Sequence, residues 1–490
     1  MSGIVGILNT DGEPVERPLL EGMTRSLGHR GPDGQDVWIS AQVGFGHSML
    51  RISPESEYEQ QPYSFDGQTW VTADARIDGR EELLKELESQ GCLHLNTAPD
   101  VELIWHSYCV WGVNCVTHLM GDFAFAIWDA PRKRLFCARD HFGVKPFFYT
   151  FQSNRFVFSS TLNNLRLHPA VSDKLNDRAI GDFLLFGSNK EVSTTTFSDI
   201  QRLAPAHYLI WSDGELRLNR YWSVPTDGQV RYRKENDYVD HFKELLHHAV
   251  KDRLRTNRAA VTMSGGLDSP TVAAVAKKIM AEQNDSFELH AHTIVFDRLI
   301  PDQERYYAGI VAKAIGIPIH YLAADGYNLF GVWDRSNLSI PEPASGPLME
   351  YDFDFCAQIS SHSRVALTGY GLDAALSPSH TYLWQMLKRL RFDRLGVDLG
   401  NYLLSRGPRP PYGILTKLKR LAGKQRWRPI YPTWLNKEFE RNLNLRARWE
   451  EIYKTPKSNG HPLRPESYQE LTAAAAWQNV FEYFDQVVNP

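Results

Sequence analysis

Ser264-Gly265-Gly266-Leu267-Asp268-Ser269 places two glycines, two hydroxyls and a carboxylate within six residues. The stretch follows the apolar run Ala259-Ala260-Val261-Thr262-Met263 and precedes Thr271-Val272-Ala273-Ala274-Val275-Ala276. That order predicts a buried strand turning through two glycines into a helix. Such a turn aims free backbone N–H groups at whatever occupies it, and glycines let the backbone approach an anion closely. The serine hydroxyls add donors, and Asp268 offers the oxygen ligand that a hard divalent cation prefers. The lysine and spacing of the Gly-x4-Gly-Lys-Ser/Thr loop are absent. A plain Gly-Gly turn capping an ordinary helix is the alternative reading.

The elements that must position this loop change style along the chain. The first ~210 residues are rich in short apolar runs: Gly3–Leu8, Val43–Gly46, Phe123–Trp128, Arg155–Phe158 and His207–Ile210. Asp11-Gly12, Asp66-Gly67 and Asp213-Gly214 punctuate them, and a helix is expected over Arg80–Gln90. This pattern predicts stacked antiparallel sheets with helices outside, an α+β domain over residues 1–222. Residues 223–236 lose periodicity and read as a linker. Residues 237–490 alternate helices (Asp237–Arg255, Asp302–Ile315) with buried strands (Val261–Ser264, Ala291–Val295, Arg364–Thr368). That alternation predicts an α/β domain whose parallel sheet binds ligands at its carboxyl ends.

At 490 residues the chain has room for two or three cores, and 42% hydrophobic residues argue for a globular protein. A net charge of −4 implies neither nucleic-acid nor membrane binding. Five scattered cysteines (Cys92, Cys109, Cys115, Cys137, Cys356) have no zinc spacing and suggest buried thiols of a cytoplasmic protein. No apolar run is long enough to span a bilayer. Between Lys388 and Arg428, twelve Lys/Arg stand against two acids, Asp393 and Asp398. That surface could hold an acidic peptide or a polyphosphate, or be a solvated helical insert.

The loop resembles the pyrophosphate loop of enzymes that split ATP into AMP and pyrophosphate. Further motifs join it: Ser2-Gly3-Ile4-Val5-Gly6, His29-Arg30-Gly31-Pro32-Asp33-Gly34, Gly121-Asp122-Phe123-Ala124-Phe125, Arg139-Asp140-His141-Phe142-Gly143-Val144-Lys145-Pro146 and Leu367-Thr368-Gly369-Tyr370-Gly371-Leu372-Asp373. Together they resemble the asparagine synthetase family across nearly the whole chain. The resemblance implies an N-terminal-nucleophile-hydrolase-like glutaminase domain, then an adenine-nucleotide alpha-hydrolase-like domain that adenylates a carboxylate and forms an amide. It implies ATP contacts from Met263, Val295, the Thr368-Gly369 main chain and the loop residues Ser264, Gly265, Gly266, Leu267, Asp268 and Ser269. Asp268 and Asp373 match the pair that holds Mg²⁺.

Departures from the family pattern narrow the function. Ser2 stands where family glutaminases carry a cysteine nucleophile. Asp74-Ala75-Arg76 replaces an Asn-Gly-Glu loop stretch that builds the oxyanion hole, so a carboxylate would face developing negative charge and Arg76 would enter the ammonium pocket. Losing one oxyanion donor costs about 3–4 kcal/mol. Arg51 and Asp100 still match substrate-binding positions, and the expectation is a vestigial glutaminase site.

Tyr370 replaces the glutamate of asparagine synthetases, and as a catalytic residue it points to β-lactam synthetases and lasso-peptide cyclases. In those branches the amine nucleophile already belongs to the substrate. Pro432–Trp449 and Ala73–Asp78 have lasso-cyclase character. The expected substrate is therefore a precursor peptide, with a leader-peptide-binding protein and a leader peptidase as further partners. A glutamine-hydrolysing asparagine synthetase and a non-catalytic binding paralogue are the alternatives. The family continues past the helix expected around Ala473–Val487 with a lysine-bearing loop, so the C-terminal end is expected to be truncated at Pro490.

Overall fold

The computed structural model describes residues 1–225, 230–283, 287–331, 341–343, 346, 349–376, 386–387, 390, 392–406 and 430–453. The chain divides into two compact units. The first comprises Met1–Ser223, Arg231–Gly369 and Ala474–Pro490, and the second Val224–Val230 and Tyr370–Ala473.

Fifteen strands are described: β1 Gly3–Asn9, β2 Gly34–Ser40, β3 Val43–Met49, β4 Thr69–Asp78, β5 Met120–Asp129, β6 Arg134–Arg139, β7 Phe148–Gln152, β8 Arg155–Ser159, β9 Gln201–Arg202, β10 His207–Ser212, β11 Glu215–Arg220, β12 Arg258–Thr262, β13 Glu288–Val295, β14 Ile319–Ala323 and β15 Ala366–Leu367. The first eleven form two antiparallel sheets, ordered β2-β3-β1-β8-β7-β9 and β11-β10-β6-β5-β4.

These two sheets pack face to face. Ile4, Leu8 and Phe45 of one meet Ala124, Ala126, Leu135 and Cys137 of the other in a single buried cluster. The opposite faces are covered by helices. Val5 and Ile7 pack on Leu20, Met23 and Leu27, of the helix Arg17–Ser26 and its end. Val71, Phe125 and Ile127 pack on Leu103 and Ile104 of the helix Asp100–Trp111. Because both faces of β1 are covered, all seven of its residues are buried, which is why Gly3–Leu8 reads as a continuous apolar run rather than an alternation. Each large side chain removed from water here contributes about 1.5–3 kcal/mol.

The remaining strands form a parallel sheet, β14-β13-β12-β15, preceded by the helix Glu235–Arg253. Ala260, Ile294 and Leu322 on one face of it meet Phe355 and Ile359 of the helix Met349–Ser360. The α+β and α/β architectures expected from the sequence are both present. Boundaries shift by a few residues where polar groups cap the elements. The helix expected from Asp302 begins at Glu304, because Asp302 accepts the backbone N–H groups of Glu304 (2.9 Å) and Phe296 (2.9 Å).

Within the second unit the described helices are Leu372–Leu376, Phe392–Arg406, Lys437–Asn442 and Leu445–Tyr453. Asn436 caps the third, accepting from the Glu438 and Phe439 N–H groups at 2.9 and 3.1 Å. The Arg446 guanidinium lies 4.7 Å from the Tyr431 ring centroid. Most of the basic stretch and the helix expected around Ala473–Val487 lie outside the described residues. All five thiols are free; Cys115 and Cys137 are buried as expected, whereas Cys109 is exposed. Among the described residues no helix is long and apolar enough to cross a membrane.

Candidate active site

The anion loop leaves β12 and enters the helix Asp268–Gln283. Met263, at its root, is fixed on both sides: its N–H donates to the His292 carbonyl (2.8 Å), and its own carbonyl accepts the Thr293 hydroxyl (2.6 Å). The Ser264 N–H donates to Ser269 Oγ (2.8 Å), and the two serine hydroxyls lie 3.1 Å apart. Ser264 Oγ also accepts the Gly266 N–H at 3.3 Å. The Gly265 N–H donates to the Glu304 carboxylate, so the turn already holds an anionic oxygen. Leu267 is 84% exposed, and its carbonyl accepts the Thr271 N–H and hydroxyl (3.1 and 2.6 Å).

Parallel pairing brings the end of β15 to the same loop, with Val261 opposite Leu367. Gly369 follows two residues later, and a Cβ there would lie 2.9 Å from Ser269 N and 3.2 Å from the Asp268 carbonyl carbon. The missing side chain is what allows the Thr368-Gly369 backbone to approach the loop. Val295, fully buried, closes β13 at the carboxyl end of the same sheet. Asp268 opens the helix after the loop. Tyr370 and Asp373 belong to the second unit; Tyr370 is 63% exposed, and Asp373 sits in the first turn of its short helix.

The amino-terminal residues make a different arrangement. Ser2 Oγ accepts the Leu50 N–H (3.1 Å), and the Ser2 carbonyl accepts Arg30 Nε (3.1 Å). Asp74-Ala75-Arg76, expected as a loop, lies inside β4, with Asp74 opposite Ala124 and Arg76 opposite Asp122. Asp74 is buried and clamped between Lys145 Nζ (2.8 Å) and Arg30 Nη2 (3.5 Å). Burial opposes its charge, but Lys145, the N-terminal ammonium and Arg30 hold its carboxyl below the usual range. Arg76, expected to enter the ammonium pocket, is paired with Asp78 (2.8 Å) and Asp122 (2.7 Å).

Asp100 is likewise engaged rather than open, bridging the Arg80 and Arg255 guanidiniums and accepting the Ile77 N–H (3.2 Å). Arg51 donates to the Asp33 carbonyl (2.9 Å) and the Ser56 carbonyl (3.1 Å). Sequence reasoning missed Lys145 as the partner of Asp74 and Arg255 as that of Asp100, since 71 and 155 residues separate the pairs. The Lys145 within the quoted Arg139–Pro146 motif was the available signal.

His47 lies beside this cluster, buried, its Nδ1 3.3 Å from Thr72 Oγ1. Burial pushes it down to about 3, with Arg51 adding to the effect and Asp74 opposing it. The native imidazole therefore stays neutral where the unfolded one, near 6.5, takes up a proton. The His47 contribution to stability is complete above pH 6.5 and is lost as the pH falls toward 3, by up to about 5 kcal/mol. Denaturant titrations across that range should show the loss, and His47→Asn should flatten it.

The model for the asparagine synthase family matches residues 241–485, half of the chain. The chain belongs to that family. A glutamine amidotransferase domain model matches residues 1–222. Asparagine synthetase [glutamine-hydrolyzing] 3 of Bacillus subtilis is 33% identical over 75% of this chain and 62% of its own length. Asparagine synthetase [glutamine-hydrolyzing] 2 of the same organism is 30% identical over 79% of this chain and 54% of its length. A putative asparagine synthetase of Methanocaldococcus jannaschii is 32% identical over 61% and 60%. The chain thus spans roughly three fifths of the length of these relatives.

Proposed function

We propose that the chain is an ATP-dependent amide ligase that activates a carboxylate as its adenylate and releases AMP and pyrophosphate. The observation that carries this reading is the loop itself: Gly265 N–H already holds the Glu304 carboxylate, and Gly369 packs without a side chain against Ser269 N. A phosphate oxygen is the ligand such a donor set accepts. No lysine stands in the loop to serve a γ-phosphate, which favours cleavage between the α and β phosphates. Asp268 offers the hard oxygen ligand that suits Mg²⁺, and Mg²⁺ would neutralise charge on the departing pyrophosphate.

The finer reading is ring closure within a precursor peptide: an Asp or Glu carboxylate is activated and the peptide's own amine attacks it. Tyr370 in place of a glutamate supports it, as do the engaged carboxylates of Asp74 and Asp100 in the amidotransferase domain. An amine already on the substrate needs no ammonia supply and recovers association entropy. A leader-peptide-binding protein and a leader peptidase are the partners this reading requires, in the cytoplasm. Incubation with ATP, Mg²⁺ and a precursor peptide should give a product lighter by one water, with AMP in equal amount. The second reading, a glutamine-hydrolysing asparagine synthetase, is favoured by the names of the relatives. Asparagine formed from aspartate and glutamine would establish it instead.

A further inference from the structure

Four histidines from three separate segments meet on one face of the parallel sheet. His290 and His292 are two residues apart on β13 and so share a face. Parallel register sets His320 of β14 directly opposite His292. The helix Met349–Ser360 covers this face, and the turn after it delivers His362, whose N–H donates to the Ile359 carbonyl at 3.0 Å. Ring centroids of His320 and His362 lie 4.5 Å apart, those of His290 and His362 4.9 Å, and those of His292 and His320 4.9 Å.

Nδ1 of His290 lies 3.1 Å from Nε2 of His320, and the ligand atoms of His290, His320 and His362 all fall within 4.8 Å of one another. Two nitrogens on a tetrahedral zinc, each at 2.0–2.1 Å, stand about 3.3 Å apart. The pair is already close to that spacing, and the His362 ligand atom lies within 4.8 Å of both. His292 is 0% exposed, and its ring nitrogens make no hydrogen bond of good geometry, with the Gln358 side chain the polar group beside them. An unsatisfied buried polar group costs about 1–3 kcal/mol, a cost that a bound ion or its water would relieve.

We infer that His290, His320 and His362 bind a divalent transition-metal ion, zinc foremost, with His292 completing the site directly or through a water. Imidazole nitrogen suits zinc, copper and nickel, whereas magnesium and calcium prefer oxygen. The ion would tie the edge strand β14 to β13 and to the segment that leads into β15. It would also brace β13 where the His292 carbonyl holds Met263, at the root of the anion loop. The assignment stands apart from the ligase reading.

The test is zinc titration of the full chain, stripped with a chelator and dialysed, in competition with a chromophoric chelator. One zinc per folded chain should bind saturably, and zinc should raise the melting temperature. His320→Ala and His362→Ala should each weaken binding at least about 100-fold, above the usual cost of losing an outer-shell partner. Cobalt should give the visible bands of a four-coordinate nitrogen site, and the same variants should lose them. His362 lies outside the strands, so His362→Ala keeps the sheet intact and reads out ligation alone. Absence of one-equivalent binding in the folded wild type, or unchanged affinity in folded His362→Ala, would overturn the site.

Discussion

Gly369→Val is expected to abolish ATP-dependent turnover while leaving the chain folded. A Cβ at this position lies 2.9 Å from Ser269 N and 3.2 Å from both the Asp268 carbonyl carbon and the Ser269 Cα. All three are backbone atoms, so no flexible side chain can yield; either β15 or the anion loop must move. Overpacking of this kind typically costs 1–3 kcal/mol, which a large core tolerates. The chemistry is less forgiving, because a displacement of about 1 Å in a positioning element costs on the order of 100-fold in rate. Gly369→Ala should fall between valine and wild type. Turnover and melting temperature measured on the same samples separate the two effects, and full activity in Gly369→Val would remove the loop from the proposed mechanism.

Ser2→Cys is expected to leave glutamine hydrolysis at background. On the proposed reading, a better nucleophile answers only one of three defects. Asp74 is fixed within β4 by Lys145 and Arg30, so a carboxylate stands where the family resemblance places an oxyanion donor. A missing donor alone costs about 10²–10³ in kcat. Asp100 is committed to Arg80 and Arg255 instead of a substrate ammonium. Glutamate release from the wild type and from Ser2→Cys can be followed directly. Recovery in the variant would show that the nucleophile was the only defect and would strengthen the asparagine synthetase reading.

The parts of this protein legible in sequence are those whose signal is local. Gly3–Leu8 announces a doubly covered strand by its apolar run, and the two glycines after Met263 announce a turn at a strand end. β4 was less legible. Asp74, Arg76 and Asp78 look like loop residues, yet each charge is neutralised inside the sheet by a partner far along the chain or across a strand. The histidine cluster was invisible for the same reason. His290 and His292 alternate on a strand, but only the parallel register with β14 and the turn after Ser360 bring His320 and His362 to them.

Cleavage of ATP between the α and β phosphates is the claim on which the functional account rests. Incubating the chain with α-labelled ATP, Mg²⁺ and a carboxylate-bearing peptide reads it in one step. The account predicts labelled AMP, formed only with the peptide present and lost in Asp268→Ala. Labelled ADP as the product would contradict it.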